Sequence, residues 1–414
     1  MREDWTECCF EDLLDYVQPT KYIVQSTNYN DSYDTPVLTA GKSFIKGYTN
    51  ETDGIFDNLP TIIFDDFTTA TQYVNFKFKV KSSAMKILVP TSKLVNMPLV
   101  YYAMQVNQVR SDTHKRYWIS VFAKKKFLLP PLVEQRAILQ KIEELFSSLD
   151  SGLEDLKKAQ NQLVIYRQAV LSSSFPKKGK IEISKLVDHL SQGWSPKCIN
   201  QNSTDSMQWA VIKTSAIQSG KFVEFENKIL PDNLEPRKHH EIKKGDILIT
   251  RAGPRVRVGI CCLVRKTRPK LINCDKVYRL ELNEELVDGE YFEYAMNSPE
   301  ILSEIEVMKS GSSDSGLNLT QKVFLKLEIP YTNKKQQHQI VQEIESRLSV
   351  CDKVEESIKE SLQKAIALRQ SILKKAFEGT FLSENEITKC KQHKDYEPAS
   401  VLLEKIRTEK NKKS

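Results

Sequence analysis

Residues 134–175 read EQRAILQKIEELFSSLDSGLEDLKKAQNQLVIYRQAVLSSSF, and residues 336–377 read QQHQIVQEIESRLSVCDKVEESIKESLQKAIALRQSILKKAF. The second stretch aligns on the first without a gap. Matched pairs include Gln135/Gln337, Ile138/Ile340, Gln140/Gln342, Ile142/Ile344, Glu143/Glu345, Ser147/Ser349, Asp150/Asp352, Arg167/Arg369, Gln168/Gln370, Leu171/Leu373 and Phe175/Phe377. Each copy follows a proline, Pro130–Pro131 in one case and Pro330 in the other, and each follows a stretch of globular character. A long segment repeated at this separation predicts a chain ordered domain–helix–domain–helix.

Within the first copy, Ile142, Leu149, Leu156, Leu163 and Val170 recur every seventh residue, with Ile138, Leu145, Gly152, Ala159 and Tyr166 as a second row. That spacing marks the seam of a coiled-coil helix. The second copy places Ile344, Cys351, Ile358, Ala365 and Ile372 in the seam, beside Ile340, Arg347, Val354, Ser361 and Leu368. Arg347 and Ser361 weaken its second row, while Leu348 and Leu362 move apolar surface to the flank. A helix of about 40 residues is roughly 60 Å long at 1.5 Å per residue. One such helix alone leaves its seam wet, and an antiparallel pair within the chain is the simplest remedy. Taken by itself, the repeat fits a plain helical hairpin or dimerisation coiled coil as well as it fits a molecule that reads or holds two things at a fixed distance.

The flanking stretches shift that balance. At 414 residues, two or three domains are expected. Phe10–Tyr16 echoes Ile183–His189, Val37-Leu38-Thr39 echoes Val211-Ile212-Lys213, and Thr61–Asp66 echoes Asp246–Arg251. In the last case an apolar strand runs into a polar turn, and both stretches are rich in short strands with Gly, Asn, Asp and Pro turns. The predicted fold class is α+β: two mixed α/β domains separated by two long helices packed as an antiparallel intramolecular coiled coil. The expected boundaries are 1–129 and 176–329 for the domains, 130–175 and 330–378 for the helices, and 379–414 for a charged tail with a short helix near Ala399–Lys410. Gly379 is placed to end the second helix.

No run of about 18 apolar residues suggests a membrane span, and the acidic Met1-Arg2-Glu3-Asp4-Trp5 lacks the apolar core of a signal peptide. Cytoplasmic localisation is expected. The eight cysteines show no C-x-x-C spacing, so neither a zinc site nor a disulfide framework is expected. The net charge of +7 permits nucleic-acid binding without requiring it.

The order of parts resembles a known family. Leu129-Pro130-Pro131-Leu132 with Glu134-Gln135 leads into the first helix and Ile329-Pro330 into the second, and Phe377-Glu378-Gly379 with Glu397-Pro398-Ala399-Ser400 closes the chain. Together with Gly245–Pro254, these motifs make the whole chain similar to the specificity subunit of type I restriction–modification systems. The resemblance implies a non-catalytic protein with two target recognition domains, each reading half of a bipartite asymmetric DNA site. It also implies that the paired helices act as spacer and dock two methyltransferase subunits, with two restriction (motor–nuclease) subunits joining through them. S-adenosylmethionine, ATP and Mg²⁺ are then expected on those partners, and no cofactor or metal on this chain. The first domain departs from the pattern in lacking counterparts of Gly193 and of the Ala252-Gly253-Pro254 turn. The alternative is a coiled-coil adaptor that holds two protein partners without DNA specificity.

The candidate DNA-contacting segment runs from Arg251 to Lys270, with Arg251, Arg255, Arg257, Arg265, Lys266, Arg268 and Lys270 and no intervening acid. Arginine suits bidentate bonding to guanine O6 and N7 or pairing with phosphate. A solvated hairpin face is the competing reading. Lys213 is a further candidate in the second domain. In the first domain the comparable turn offers Asp66, Thr68 and Thr69, whose groups match cytosine N4, a thymine methyl or a phosphate; a plain polar turn fits equally. Lys42, Lys46 and Tyr48 add charge and an aromatic near a predicted strand end. Trp118 is read as core. Enzymatic signatures are missing: Leu129-Pro130-Pro131-Leu132 is not a methyltransferase motif, and neither a phosphate loop, G-x-S-x-G nor H-E-x-x-H occurs.

Overall fold

The structure, a computed structural model, describes residues 2–41, 43–108 and 116–413. It divides into two compact units, Met1–Leu156 with Glu360–Ser414, and Lys157–Lys359. Two long helices, α1 (Leu132–Ser174) and α2 (Lys334–Phe377), each give one half to each unit. The fold is the mixed α and β architecture that the repeat predicts.

In the first unit, strands β1 (Leu14–Val17), β2 (Thr61–Asp65), β3 (Thr71–Val74) and β4 (Met85–Pro90) form an antiparallel sheet in the order β1-β4-β2-β3. In the second, β5 (Val187–Gln192), β6 (Ile247–Thr250), β7 (Cys261–Leu263) and β8 (Val277–Leu282) repeat it as β5-β8-β6-β7. Each unit also holds a three-stranded sheet with one antiparallel and one parallel pairing. Its central strand is Thr35–Leu38 in the first unit and Ala210–Ile212 in the second. A two-stranded ribbon leads into each long helix: Thr6–Cys9 with Lys126–Leu129, and Lys180–Glu182 with Glu328–Pro330. The faint sequence echoes therefore mark equivalent strands.

In the central strands β2 and β6, Ile62-Ile63-Phe64 and Ile247-Leu248-Ile249 run apolar without alternation because both of their faces are covered. Successive side chains of a strand point to opposite faces. Ile62 and Phe64 join the helical core of their unit, while Ile63 joins the core under the three-stranded sheet. Ile247 and Ile249 divide from Leu248 in the same way. Trp118 is buried against Phe64, with ring centroids 5.4 Å apart, as the sequence suggests.

Along the long helices the first seven-spaced row faces inward. Ile142, Val170, Ile344, Cys351, Ile358 and Ile372 are buried, and Leu149, Leu156, Leu163 and Ala365 are half-buried. The expected second row holds at Ile138, which is buried, and at Ile340 and Ala159, which are half-buried, and is corrected elsewhere. Leu145, Tyr166, Val354 and Leu368 are exposed, whereas Phe146 is buried and Leu153, Leu348 and Leu362 are half-buried beside the first row. A helix pair needs one narrow stripe, and the row four residues on completes it here, with charges where apolar side chains run out. In the first unit Arg369 donates to Asp150 at 2.7 Å; in the second, Arg167 donates to Asp352 at 2.6 Å. These are the matched residues of the repeat, paired reciprocally, which requires the antiparallel arrangement within each unit.

The matched glutamines have a structural task. Gln135 Nε2 donates to the Pro130 carbonyl at 2.8 Å, and Gln337 Nε2 to the Thr332 carbonyl at 2.7 Å, so each closes the turn that starts its helix. The C-terminal stretch is more than a charged tail. Helices Glu384–Lys391 and Ala399–Lys413 follow Gly379, whose φ of +76° ends α2. Leu402, Leu403 and Ile406 enter the core of the first unit. Buried Glu134 gathers this end, accepting from Arg2 at 2.7 Å, the Trp5 indole at 2.9 Å and the Tyr396 hydroxyl at 3.5 Å.

Ile344→Ala removes a fully buried seam side chain and is expected to cost about 2–4 kcal/mol in urea unfolding of the whole chain. Val350→Ala, on the exposed side of the same helix, should stay within about 0.5 kcal/mol. Equal losses would show that the seam is misplaced.

Candidate nucleic-acid interface

The structure scatters the sequence candidates over three situations. In the first unit Asp66 is 3% exposed, and its carboxylate accepts the Trp118 N–H at 2.8 Å. It holds the interior together and presents nothing outward, so its place among DNA-facing residues is corrected. Thr69 is also buried, with a φ of +59° that the turn imposes. The neighbouring Asp65 organises that turn by accepting the N–H groups of Phe67 at 2.9 Å and Thr68 at 3.0 Å. Thr68 and Phe67 are left exposed at its tip. Lys46 is exposed and Tyr48 half-buried on the strand Ile45–Thr49. Lys42 lies outside the described residues.

In the second unit the basic run is largely engaged internally. Arg268 is 9% exposed, donates to the carbonyls of Gln208 and Pro269 at 2.9 Å, and has its pKa lowered by burial. It cannot serve as a surface reader, and its candidacy is corrected. Arg265 bonds the fully buried Glu293 carboxylate at 2.7 Å. Arg257 is half-buried against the Ile217 carbonyl at 3.4 Å. Ala252–Gly253 pairs as a strand with Leu317–Asn318, and the turn lies just beyond it, ending at Gly259, whose φ is +95° and where an added Cβ would meet Ile305 at 2.5 Å. Val256 and Arg255 stand exposed at its tip.

Arg251 marks a different surface. Its Nε donates to the Asp275 carbonyl at 2.8 Å, Nη1 donates to Asn318 at 3.3 Å, and the guanidinium lies 5.8 Å from the Tyr278 ring centroid. The same 274–276 segment walls a cleft of about 480 Å³ that also draws on Lys197, Lys213 and Lys228. Four lysines, with Lys276, thus converge on one concave surface. Lys213 is paired with Glu226 at 3.5 Å, while Lys197, Lys228 and Lys276 carry no ion pair among the described residues. A basic concavity with uncommitted ammonium groups attracts polyanions such as a nucleic-acid backbone. Lys197, Lys228 and Lys276 were not visible as a group in the sequence. Pairing of Ala210–Ile212 with Asn227–Ile229 and Leu271–Ile272 assembles them.

Replacing Asp66 by Ala should cost the first unit about 1–3 kcal/mol, because the buried Trp118 N–H loses its acceptor. Chemical denaturation followed by tryptophan fluorescence measures this, and an unchanged stability would return Asp66 to the candidates for contact.

Residues 2–163 match the type I restriction modification DNA specificity domain. Over 393 residues the chain is 31% identical to the EcoR124I/EcoR124II specificity subunit of Escherichia coli, covering 87% of this chain and 89% of that protein. It is 34% identical over 190 residues to the EcoEI specificity subunit of Escherichia coli, covering 46% of this chain but only 32% of that relative's length. In fold, it superposes with a TM-score of 0.65 on a chain from a structural study of type I R-M complex assembly and conformational transition. That superposition covers 92% of this chain and 99% of the other at 15% identity. The chain belongs to the specificity subunits of type I restriction–modification systems, which are the non-catalytic components of those complexes.

Proposed function

We propose that this chain reads a bipartite, asymmetric DNA target, one half through each unit, and carries methyltransferase subunits on its long helices. One observation carries the reading: a single sheet order recurs on two divergent sequences, each joined to a copy of the same helix. Equivalent scaffolds with different surface residues suit two different half-sites.

In the second unit, Lys197, Lys213, Lys228 and Lys276 take backbone phosphates; Arg251, bonded to the Asp275 carbonyl beside the cleft, and the exposed Arg255 address base edges. In the first unit, Lys46, Tyr48 and Thr68 are the remaining outward candidates. Val164 and Tyr166 on α1, and the matched Ile366 and Leu368 on α2, are exposed apolar positions. Their repetition suits two copies of one partner, the methyltransferase subunit, with two motor–nuclease subunits joining through it. S-adenosylmethionine, ATP and Mg²⁺ belong to those partners in this reading, and the assembly works in the cytoplasm.

Lys228→Ala and Lys276→Ala should weaken binding to all duplexes alike, each reducing the salt slope of log K by about 1. A salt titration of duplex binding by the chain with its methyltransferase partner measures this. Binding indifferent to salt and to both substitutions would favour the adaptor reading. A second expectation concerns the spacer. Four residues inserted at matched positions of α1 and α2 add about one turn, roughly 6 Å, and should change the gap between half-sites by about two base pairs. The half-site sequences should stay as they were; an altered half-site with an unchanged gap would refute the spacer.

A further inference from the structure

The turn after β6 is fastened to a second hairpin. Residues 310–318 close through Ser310 N–H to the Asn318 carbonyl at 2.9 Å and Asn318 N–H to the Ser310 carbonyl at 2.7 Å. Leu317–Asn318 then pairs with Ala252–Gly253. Along this join the Arg255 N–H donates to the Asp314 carbonyl at 2.8 Å, and Arg255 Nε donates to the Asp314 carboxylate at 2.9 Å. Its Nη1 donates to Glu306. Lys309 holds Glu306 from the other side at 2.5 Å and donates to the Arg255 carbonyl at 2.8 Å.

This cluster sits at the surface. The Arg255 side chain is 48% exposed and that of Asp314 is 80% exposed. Two carboxylates occupy donors that a phosphate or a guanine edge would otherwise take. Exposed pairs of this kind are individually weak, so a ligand offering well-placed acceptors displaces them. A loosely placed phosphate meets both the competition and the repulsion of two anions.

We propose that Glu306 and Asp314 act as an internal competitor for Arg255, suppressing its contact with non-target DNA and releasing it when the turn is seated on the target. The inference rests on the reading of the second unit as a DNA reader and adds a specificity-setting role for two acidic residues. Charge in this region therefore works as a filter: the uncommitted lysines of the cleft attract DNA, and Arg255 engages only a correctly placed acceptor.

The test uses the full chain with its methyltransferase partner and a labelled random-sequence duplex, titrated between about 50 and 200 mM salt. Glu306→Gln with Asp314→Asn should tighten binding roughly 3- to 10-fold and steepen the salt slope by about 1. Asp314→Asn alone, at an exposed position, should give part of the gain with the fold intact. In an Arg255→Ala background the same substitutions should change affinity by less than about twofold. An unchanged affinity in the first variant, or an equal gain without Arg255, would overturn the competitor. Failure of the unsubstituted protein to bind any duplex at low salt would instead remove the DNA-reading function beneath it.

Discussion

A helix of 43 or 44 residues with one apolar stripe cannot bury that stripe on its own, and this constraint organises the rest of the chain. Each unit solves it by pairing the opening half of one long helix with the closing half of the other. The repeat makes the two solutions equivalent: Arg369 meets Asp150 in one unit, and Arg167 meets Asp352 in the other. Exposed pairs of this kind add little stability, yet they fix which residues face each other. The stripe supplies the energy, and the flanking charges supply the register. Because the first unit requires the end of α2, it also draws in the C-terminal helices and the buried Glu134 that binds Arg2, Trp5 and Tyr396.

On that frame, each unit hangs a sheet of the same strand order whose central strand is apolar on both faces. Conservation of shape here needs only covered strands and closed turns, so surface residues are free to differ. The turn after β2 ends in Phe67 and Thr68, and the turn after β6 in Arg255 and Val256. Equivalent positions thus carry unlike chemistry.

The sequence showed the helices and central strands plainly, because seven-residue spacing and short apolar runs are local signals. Ile142 to Val170 and Ile344 to Ile372 were readable as a seam without any structure. The flank is ambiguous in the sequence because a row offset by three and a row offset by four both adjoin a seam, and only packing chooses between Leu145 and Phe146. Site residues were harder for a different reason. Counting arginines from Arg251 to Lys270 ignores partners far away in the chain, such as Glu293 for Arg265 or the Gln208 carbonyl for Arg268. Asp66 has the sequence setting of a surface turn residue, but the backbone N–H of Trp118 claims it. Conversely, Lys197, Lys213, Lys228 and Lys276 span 80 residues of sequence with no motif, and strand pairing alone brings them to one cleft. The tail's Leu402, Leu403 and Ile406 carried a helical apolar spacing that its high charge obscured.

The central claim is that two divergent units of one chain read two halves of one DNA site. Its most direct test is to map N6-methyladenine in DNA from cells that carry this chain with its methyltransferase partner. The account predicts one asymmetric motif of two unlike half-sites separated by a fixed gap of unspecified bases. Methylation confined to a continuous or palindromic motif, or methylation without sequence preference, would contradict it.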